Sequence, residues 1–462
     1  MMEFASFKEK VIACCEKQGI TEYELYYSCA ESITVGAFQR EINQFTGSVA
    51  GGVCFRCIAG GKMGYASTED LSPDQAAAMV ARAVDNAACL ETEDRVFLGE
   101  GGQQYRHLEL VHYPLPSTEE LVETVLDMQD KLYAADAMVT DGTTSQVLSE
   151  RSEIAIYNSK GLDLNYVNQV AGIVSSAVVT DGTEMSSHFG IKLGQLDTVD
   201  RDALASELIA GAKAKMGGEG IGTGVYPVVF DPKAMSNLLQ TFSGIFSSEA
   251  AQKGLSQLAQ LEGQQVASEA VTIVDDPFHP DNPMPIHFDA EGSPTYAKNI
   301  VEKGRLNTLL YNLKTAHKAG KTTTGNASKG GYNASVAVRP FTMYLAPGDH
   351  SEEQLLQMVG NGVYINQLEG LHAGANAVSG DFSLQSAGYR IEGGRKGAHI
   401  KGFTVAGNFY ELLKKITAVA DNVCLPMALG MTAFGAPSVL VSGLSVAGKE
   451  EGEGGENGDH EE

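Results

Sequence analysis

Residues 370–383 read GLHAGANAVSGDFS, a stretch in which glycines are interleaved with polar side chains. Glycine lets a backbone come close to a ligand or to a neighbouring chain. The candidates for contacting a peptide here are His372, Asn376, Ser379 and Asp381. The competing interpretation is a tight β-turn region whose polar side chains satisfy the local backbone. Residue chemistry alone favours this second interpretation.

The sequence around this loop is dominated by short strand-like runs. Strands are predicted at 225–230, 271–274, 334–337 and 342–345, and helices at 232–246, 351–358 and 409–419. A glycine-rich stretch at 218–224 indicates a linker before the first of them. Short strands separated by turn residues predict a β-rich, antiparallel C-terminal domain.

The N-terminal half mixes both kinds of element. One predicted helix has an apolar stripe at 7–15, two others begin with capping boxes at Ser72 and Ser117, and a fourth ends after Lys215. Its predicted strands cover 22–29, 32–38, a hairpin at 49–66, 153–157, 162–167 and 174–180. The fold class is therefore α+β, with an N-terminal mixed α/β region before the C-terminal β-rich domain.

A chain of 462 residues is long enough for two or three domains. The boundaries are predicted at the loop near residue 105 and at the glycine-rich linker. The predicted units are an N-terminal α+β domain at 1–105, a central α+β domain at 106–222, and the C-terminal domain at 223–448. Residues 449–462 form a Gly/Glu tail that is too polar to pack, and we expect it to be disordered.

Composition argues against two classes of partner. The net charge is -25, and we find no basic run, so direct binding to nucleic acid is not expected. No apolar run is long enough to span a membrane, and no signal peptide is recognised at the start, which favours a cytoplasmic protein with reduced thiols. Cys54 and Cys57 form a C-x-x-C, but positions three apart on a strand face opposite sides, so we expect structural thiols.

Standard catalytic motifs are missing from the sequence. There is no G-x-x-x-x-G-K-[ST] phosphate loop, no G-x-S-x-G elbow and no H-E-x-x-H. His460 and Glu461 form a His-Glu pair, but they lie in the polar tail.

Several long motifs resemble one known family. Residues 370–383, GYRIEGG at 388–394 and TVAGN at 404–408 are similar to the C-terminal signature of the TldD/PmbA family, also labelled modulator of DNA gyrase. VTIVDD at 271–276 and FDAEGSPT at 288–295 resemble the segments that follow the family's metal helix. The resemblance extends to about residue 448 and implies a peptide-processing metallopeptidase fold.

The metal helix itself departs from the family pattern. TldD-type members carry H-E-x-x-x-H, a motif that binds zinc and activates a water. The corresponding residues here are Ser248, Glu249 and Lys253, so the resemblance implies the PmbA-like (TldE) half and no zinc cofactor on this chain. Cys424 is a candidate for a remaining ligand that the motif does not align securely.

The resemblance implies a TldD-like paralogue as partner, which carries the zinc, in a heterodimer that cleaves peptides or small unfolded proteins. A homodimer is left open. Two other functions compete with this one. The chain could be an autonomous hydrolase that uses other residues, such as His372 with Ser379, or a peptide-binding protein without enzymatic activity.

Overall fold

The computed structural model describes residues 4–91, 95–106, 114–282, 284–425 and 432–449. The predicted tail lies outside these residues except for Lys449. The elements of the N-terminal half, in chain order, are α1 (Phe4–Gln18), β1 (Tyr23–Phe38), β2 (Glu41–Ala59), β3 (Lys62–Thr68), α2 (Pro73–Ala88), α3 (Thr118–Ala135), β4 (Thr144–Asn158), β5 (Asp163–Thr180), β6 (Met185–Leu193), a 3₁₀ turn at Leu196–Thr198, and α4 (Arg201–Lys213).

These six strands form one antiparallel sheet in the order β3-β2-β1-β4-β5-β6. Strands from both sides of the predicted boundary near residue 105 therefore share a single sheet. Strands β1, β2, β4 and β5 are long; β1 pairs with β2 over its whole length and with β4 from Glu24 to Phe38.

The helices α1 to α4 cover one face of this sheet. Leu25 and Val35 are an even number of residues apart on β1, so both side chains point to the same face. Leu25 is buried beneath α1 and α2, and Val35 is buried beneath α3 and α4. On the opposite face, Tyr26 and Cys54 pack with Phe288 from the C-terminal half.

The elements of the C-terminal half are β7 (Gly224–Phe230), α5 (Pro232–Phe242), a 3₁₀ turn at Ser243–Phe246, α6 (Ser248–Gln252), β8 (Ile273–Asp275), β9 (Lys298–Glu302), β10 (Arg305–Leu306), α7 (Leu313–Ala319), β11 (Ala327–Ser328), β12 (Ala337–Val338), β13 (Thr342–Leu345), α8 (Glu352–Val359), β14 (Gly362–Glu369), α9 (Leu371–Gly374), β15 (Asp381–Glu392), β16 (Arg395–Asn408), α10 (Phe409–Lys415), β17 (Ile416–Val419), β18 (Ala433–Gly435) and β19 (Val439–Ala447).

Two larger sheets organise this half, with strand orders β16-β15-β14-β7-β19-β17 and β10-β9-β8-β13-β18. Only the pairs β7–β14 and β13–β18 run parallel among the described strands. Helix α5 contacts β14 of one sheet and β18 of the other, so it lies between them. Its Phe242 stacks on Phe409 with ring centroids 4.6 Å apart, inside one core shared by both sheets.

The α+β fold class and its β-rich, mostly antiparallel C-terminal half are thereby confirmed. So is the capping box of α3, in which Ser117 and Glu120 satisfy each other's backbone N–H groups. The opposite orientation of the two C-x-x-C thiols is also confirmed. Cys54 packs towards Phe288, whereas Cys57 packs with Phe7 under α1.

Several local predictions are wrong for identifiable reasons. The capping box at Ser72 does not form: the Gln75 N–H donates to the Ser72 carbonyl and not to its hydroxyl, which itself donates to the Asp70 carboxylate. The strands predicted at 22–29 and 32–38 are one strand, because cross-strand partners hold Glu31 within the ladder.

Two elements are shorter than predicted. The helix predicted at 409–419 ends at Lys415, and the β-branched run from Ile416 continues as β17 against β19. The strand predicted at 334–337 is confined to Ala337–Val338, which pairs with β11. The helix predicted at 232–246 becomes a 3₁₀ turn after Phe242, a common form of helix terminus.

None of the helices among the described residues is long and apolar enough to cross a membrane.

Candidate functional site

Helix α6 carries Ser248 and Glu249, two of the residues that the sequence resemblance sets at the family's metal-helix positions. It begins after Ser247, whose hydroxyl accepts a hydrogen bond from the Ala250 N–H at 3.5 Å, and it is one turn long. The chain leaves it at Gly254, whose φ of 73° is in the left-handed region that favours glycine. A helix this short depends on its neighbours for its position, and those neighbours are supplied mainly by α7.

Ser248 is a packing residue of this junction. Its side chain is buried, and its hydroxyl donates to the Thr315 hydroxyl at 2.8 Å. Gln252 donates to the Thr315 carbonyl, also at 2.8 Å. Thr315 is itself fixed, because it completes the capping box of α7 with Asn312. The position of the first family histidine therefore carries a hydroxyl that points into the protein interior.

Glu249 and Lys253 form an ion pair on the opposite, accessible part of α6. The ammonium lies 2.7 Å from the carboxylate in an i,i+4 arrangement, and the lysine side chain is 60% exposed. Two cavities adjoin this pair, one of about 660 Å³ and one of about 690 Å³, and both are lined by Glu249 and Lys253. The ion pair is thus the shared wall of two adjacent pockets large enough for several side chains of a peptide.

These three residues do not fit a zinc ion. A serine hydroxyl is a poor zinc ligand, and here it is already bonded to Thr315. A protonated lysine repels a cation and occupies the glutamate that would act on a metal-bound water. The described residues also contain no group of three or more His, Cys, Asp or Glu side chains placed to hold a metal ion.

Cys424, the candidate for a further ligand, lies elsewhere. It forms an isolated β-bridge with Ala436 and is not among the described residues that line either cavity beside α6. Partial burial raises the pKa of its thiol, and Asp231 raises it further.

A buried charge cluster forms the floor of the 660 Å³ cavity. Arg56 of β2 donates from Nε to the Glu24 carboxylate at 2.7 Å and has Glu291 at 3.8 Å on its other side. Glu291 also accepts the Leu313 N–H at 2.8 Å, at the start of α7. Burial raises the pKa of Glu291, whereas the Arg56 guanidinium lowers it. The cluster joins the N-terminal sheet to the segment that holds α6.

The FDAEGSPT motif at 288–295 positions Glu291 in that cluster. Asp289 is buried and accepts hydrogen bonds from the N–H groups of Glu291, Ser293 and Ala327, each at 2.9 Å. Gly292 adopts a φ of 77°, which closes the turn. The motif by itself does not indicate a role for Glu291. A signal is present in Arg56, a charge within the otherwise apolar run VCFRCI at 53–58, which must find a buried partner.

The 370–383 loop connects β14 to β15 and is held by its own polar groups. Asn376 accepts the N–H groups of Val378 at 2.9 Å and Ser379 at 3.2 Å, as in an Asx turn. Asp381 accepts from the Asn408 amide at 2.8 Å, and this bond, together with one from Ser379, lowers the pKa of the carboxyl. The loop is therefore locally satisfied, as the turn interpretation expects.

The four candidate peptide-binding residues do not meet the pockets beside α6. His372 is exposed on the short helix α9, and neither cavity is lined by any residue of 370–383 among those described. The loop is nevertheless linked to the segment after α6, because Gln257 donates to the Ser379 carbonyl at 3.0 Å. The loop thus contacts the segment after α6 without lining either cavity.

Comparison with known proteins identifies the family to which this chain belongs. Family models match the chain as PmbA/TldA metallopeptidase domain 1 over 23–87, the central domain over 112–258 and the C-terminal domain over 223–448. The chain belongs to the PmbA/TldD metallopeptidase family, which confirms the resemblance inferred from its motifs.

Individual relatives agree with this assignment. A structure titled a putative modulator of a DNA gyrase from Thermotoga maritima is 31% identical, with a TM-score of 0.86 over 96% of this chain and 100% of that one. TldE from Thermococcus kodakarensis shares the fold at 22% identity, with a TM-score of 0.83 over 96% of this chain and 100% of that one. The metalloprotease PmbA homolog of Haemophilus influenzae is 24% identical over 87% of each chain.

Proposed function

We propose that this chain is the TldE-like subunit of a two-chain zinc peptidase that processes peptides or small unfolded proteins in the cytoplasm. The zinc is supplied by a TldD-like paralogue and not by this chain. The observation that carries the proposal is the state of α6, where a buried serine and a Glu249–Lys253 ion pair stand at the family's metal-helix positions.

The rest of the α6 region supports a role in binding rather than in bond cleavage. Two cavities adjoin the degenerate helix; the walls of the 660 Å³ cavity come from both halves of the chain, and those of the 690 Å³ cavity come from the C-terminal half. The helix is held by Thr315 of α7, and α7 is in turn held at its start by the bond from the Leu313 N–H to Glu291. A surface held by packed neighbours and flanked by two cavities suits the shaping of a peptide path towards a metal on another chain.

The test is reconstitution. The chain is purified alone, a paralogue with H-E-x-x-x-H is purified alone, and the two are mixed and assayed for cleavage of unstructured peptides. We expect this chain alone to be inactive and to hold far less than one zinc per monomer after loading and desalting, while the mixture cleaves. Stoichiometric zinc on the isolated chain, or cleavage by it, would overturn the proposal. A mixture no more active than the paralogue alone would favour a binding protein without enzymatic activity.

A further inference from the structure

A further cavity lies on the face of the N-terminal sheet opposite helices α1 to α4. Its volume is about 550 Å³, and its floor is formed mainly by alternate residues of β1, β4 and β5. On β4 the floor extends from Leu148 to Ile154, six residues apart, which is about 20 Å along the strand. The cavity is therefore elongated, and most of the side chains that line it are apolar.

The segment 329–333, KGGYN, forms the wall above one end of this floor. Tyr332 is packed on β2 at Gly52, where an added Cβ would lie 2.8 Å from the tyrosine ring. The Tyr332 hydroxyl donates to the Glu69 carboxylate at 2.6 Å. The wall is thus held at Tyr332, and Lys329 begins it on the side of Tyr26.

Lys329 is a buried cation without a carboxylate partner. Its side chain is only 5% exposed, and its ammonium lies 4.4 Å from the centroid of the Tyr26 ring. The Cys54 thiol is its polar contact, and in the part of the chain that the structure describes no carboxylate forms an ion pair with it. Burial lowers the pKa of the ammonium. Buried charges in proteins are normally paired, so this position has room for an anion from outside the chain.

Lys298 shows what the same fold does with a buried lysine that serves only structure. It is 8% exposed and lies 4.6 Å from the centroid of the Tyr296 ring, much as Lys329 lies over a tyrosine. Its ammonium, however, is bonded to Asp275 at 3.2 Å and to Asn326 at 3.1 Å. Lys298 does not line the 550 Å³ cavity, whereas Lys329 does. The unpaired cation is therefore the one that borders an open space.

We propose that this cavity binds a carboxylate whose apolar body lies along the open face of the sheet, with the carboxylate at Lys329. An ion pair shielded from water by apolar walls is much stronger than one on the surface. Two sources offer this chemistry, the C-terminal residue of a short peptide and a free apolar carboxylic acid. The cavity volume is within the range of small-molecule sites.

The middle of the floor favours the peptide source. Ser152 and Asn168 are cross-strand partners there, and their side chains form no hydrogen bond within the described residues, although Asn168 is only 8% exposed. Such groups can bond to a peptide backbone, which an alkyl chain lacks. Asn333 lines both this cavity and the 660 Å³ cavity beside α6, so the two spaces adjoin.

The glutamates that line the cavity do not oppose a carboxylate at Lys329. Glu69 already accepts a tyrosine hydroxyl, and Glu153 is paired with Arg151 at 3.2 Å. Glu150 lies six residues along the ladder from the row of Tyr26, or about 20 Å. That separation exceeds the Debye length of roughly 8 Å at physiological salt, so its repulsion is largely screened.

The proposal goes beyond the peptidase role and is tested on the pure chain without a partner or zinc. Isothermal titration calorimetry compares an acetylated tripeptide ending in phenylalanine with the same tripeptide carrying a C-terminal amide. We expect the acid to bind roughly tenfold or more tightly than the amide, because only the acid pairs with the buried ammonium. Lys329→Met keeps an apolar stem and should abolish this preference. Lys414→Met, at a side chain 52% exposed on α10, is the control and should retain it.

Two further measurements place the ligand and identify its source. Ala30→Trp fills part of the floor and should weaken binding of acid and amide alike, while thermal melts confirm that each variant is folded. Decanoate bound more tightly than the peptide acid would assign the cavity to free apolar acids, and weaker binding would assign it to peptide C-termini. No binding of any probe, equal affinity for acid and amide, a preference that persists in Lys329→Met, or unchanged binding by Ala30→Trp would overturn the proposal. None of these results bears on zinc content or on cleavage by the two-chain mixture, which test the peptidase role separately.

Discussion

At the scale of single residues, Ser248 and Lys253, which the resemblance sets at the family's histidine positions, differ in how much they stabilise the fold. Ser248→Ala should lower the free energy of unfolding by about 1 kcal/mol, because the buried hydroxyl loses its bond to Thr315. Lys253→Ala should change it little, because that ion pair is exposed and screened by water. The comparison is made from urea midpoints at unchanged m-value. Equal destabilisation by the two variants would show that the ion pair, and not Ser248, anchors α6.

The residue scale also marks where sequence reasoning stops. The opposed faces of Cys54 and Cys57 could be predicted, because strand alternation is a local rule. The contact of Arg56 with Glu291 could not be predicted, because the two residues are far apart in the sequence and only the packing of the two halves brings them together. A charge inside an apolar strand indicates that a partner exists, but it does not indicate which residue the partner is.

At the scale of elements, the cap of α5 is expected to make stability depend on pH. Asp231 accepts the Ala234 N–H at 2.6 Å, and burial raises the pKa of its carboxyl to about 7. The folded state therefore holds this proton more tightly than the unfolded state. The stability it contributes is complete at low pH and is lost as the pH rises through about 7.

Asp231→Asn removes this titration while keeping a good capping side chain. Between about pH 5 and about pH 8, the urea midpoint of the unmodified chain should fall by more than that of the variant. Asp200→Asn, at the exposed cap of α4, is the control and should follow the unmodified chain. If all three proteins show parallel pH dependence, then Asp231 does not titrate in this range.

Mutations in the 370–383 loop distinguish its two interpretations, a structural turn and a peptide-binding loop. Asn376→Ala should lower the free energy of unfolding by about 1 kcal/mol, because two backbone N–H groups lose their acceptor. His372→Ala should leave stability unchanged, because the ring is exposed. If His372 contacts a peptide, the same variant should reduce cleavage by the reconstituted two-chain complex. Normal cleavage by His372→Ala would leave the loop with only its structural role.

Element identities were predictable where the pattern was long and periodic, as for α3 with its apolar face and capping box. The predictions of element type were wrong where pairing with a neighbouring strand determines whether a segment is helix or strand. The run after Lys415 has helical neighbours, yet pairing with β19 makes it a strand. The continuity of β1 across Glu31 likewise depends on partners in β2 and β4 that a single sequence does not reveal.

At the scale of the whole molecule, both halves of the chain contribute to the surroundings of α6. The N-terminal sheet is covered by helices on one face, and on the other it packs against the segment that includes Phe288 and Glu291. The C-terminal half supplies α6, α7 and the second cavity. Of the three residues that the resemblance sets at metal-helix positions, Glu249 and Lys253 line the pockets, whereas Ser248 is buried against α7.

The whole-molecule charge decides the expected behaviour towards DNA. One relative is titled a putative modulator of a DNA gyrase, and direct binding to DNA would be one route to such an effect. Binding to DNA is driven by Lys and Arg that neutralise phosphates, and this chain has 33 of them against 58 Asp and Glu. We therefore expect no salt-sensitive binding to duplex DNA at micromolar protein and physiological salt, measured by fluorescence anisotropy. Lowering the salt should not reveal binding either, because weaker screening strengthens the repulsion between two polyanions. An anisotropy rise at low salt that is lost as salt increases would contradict this expectation and would require a basic surface that the net charge conceals.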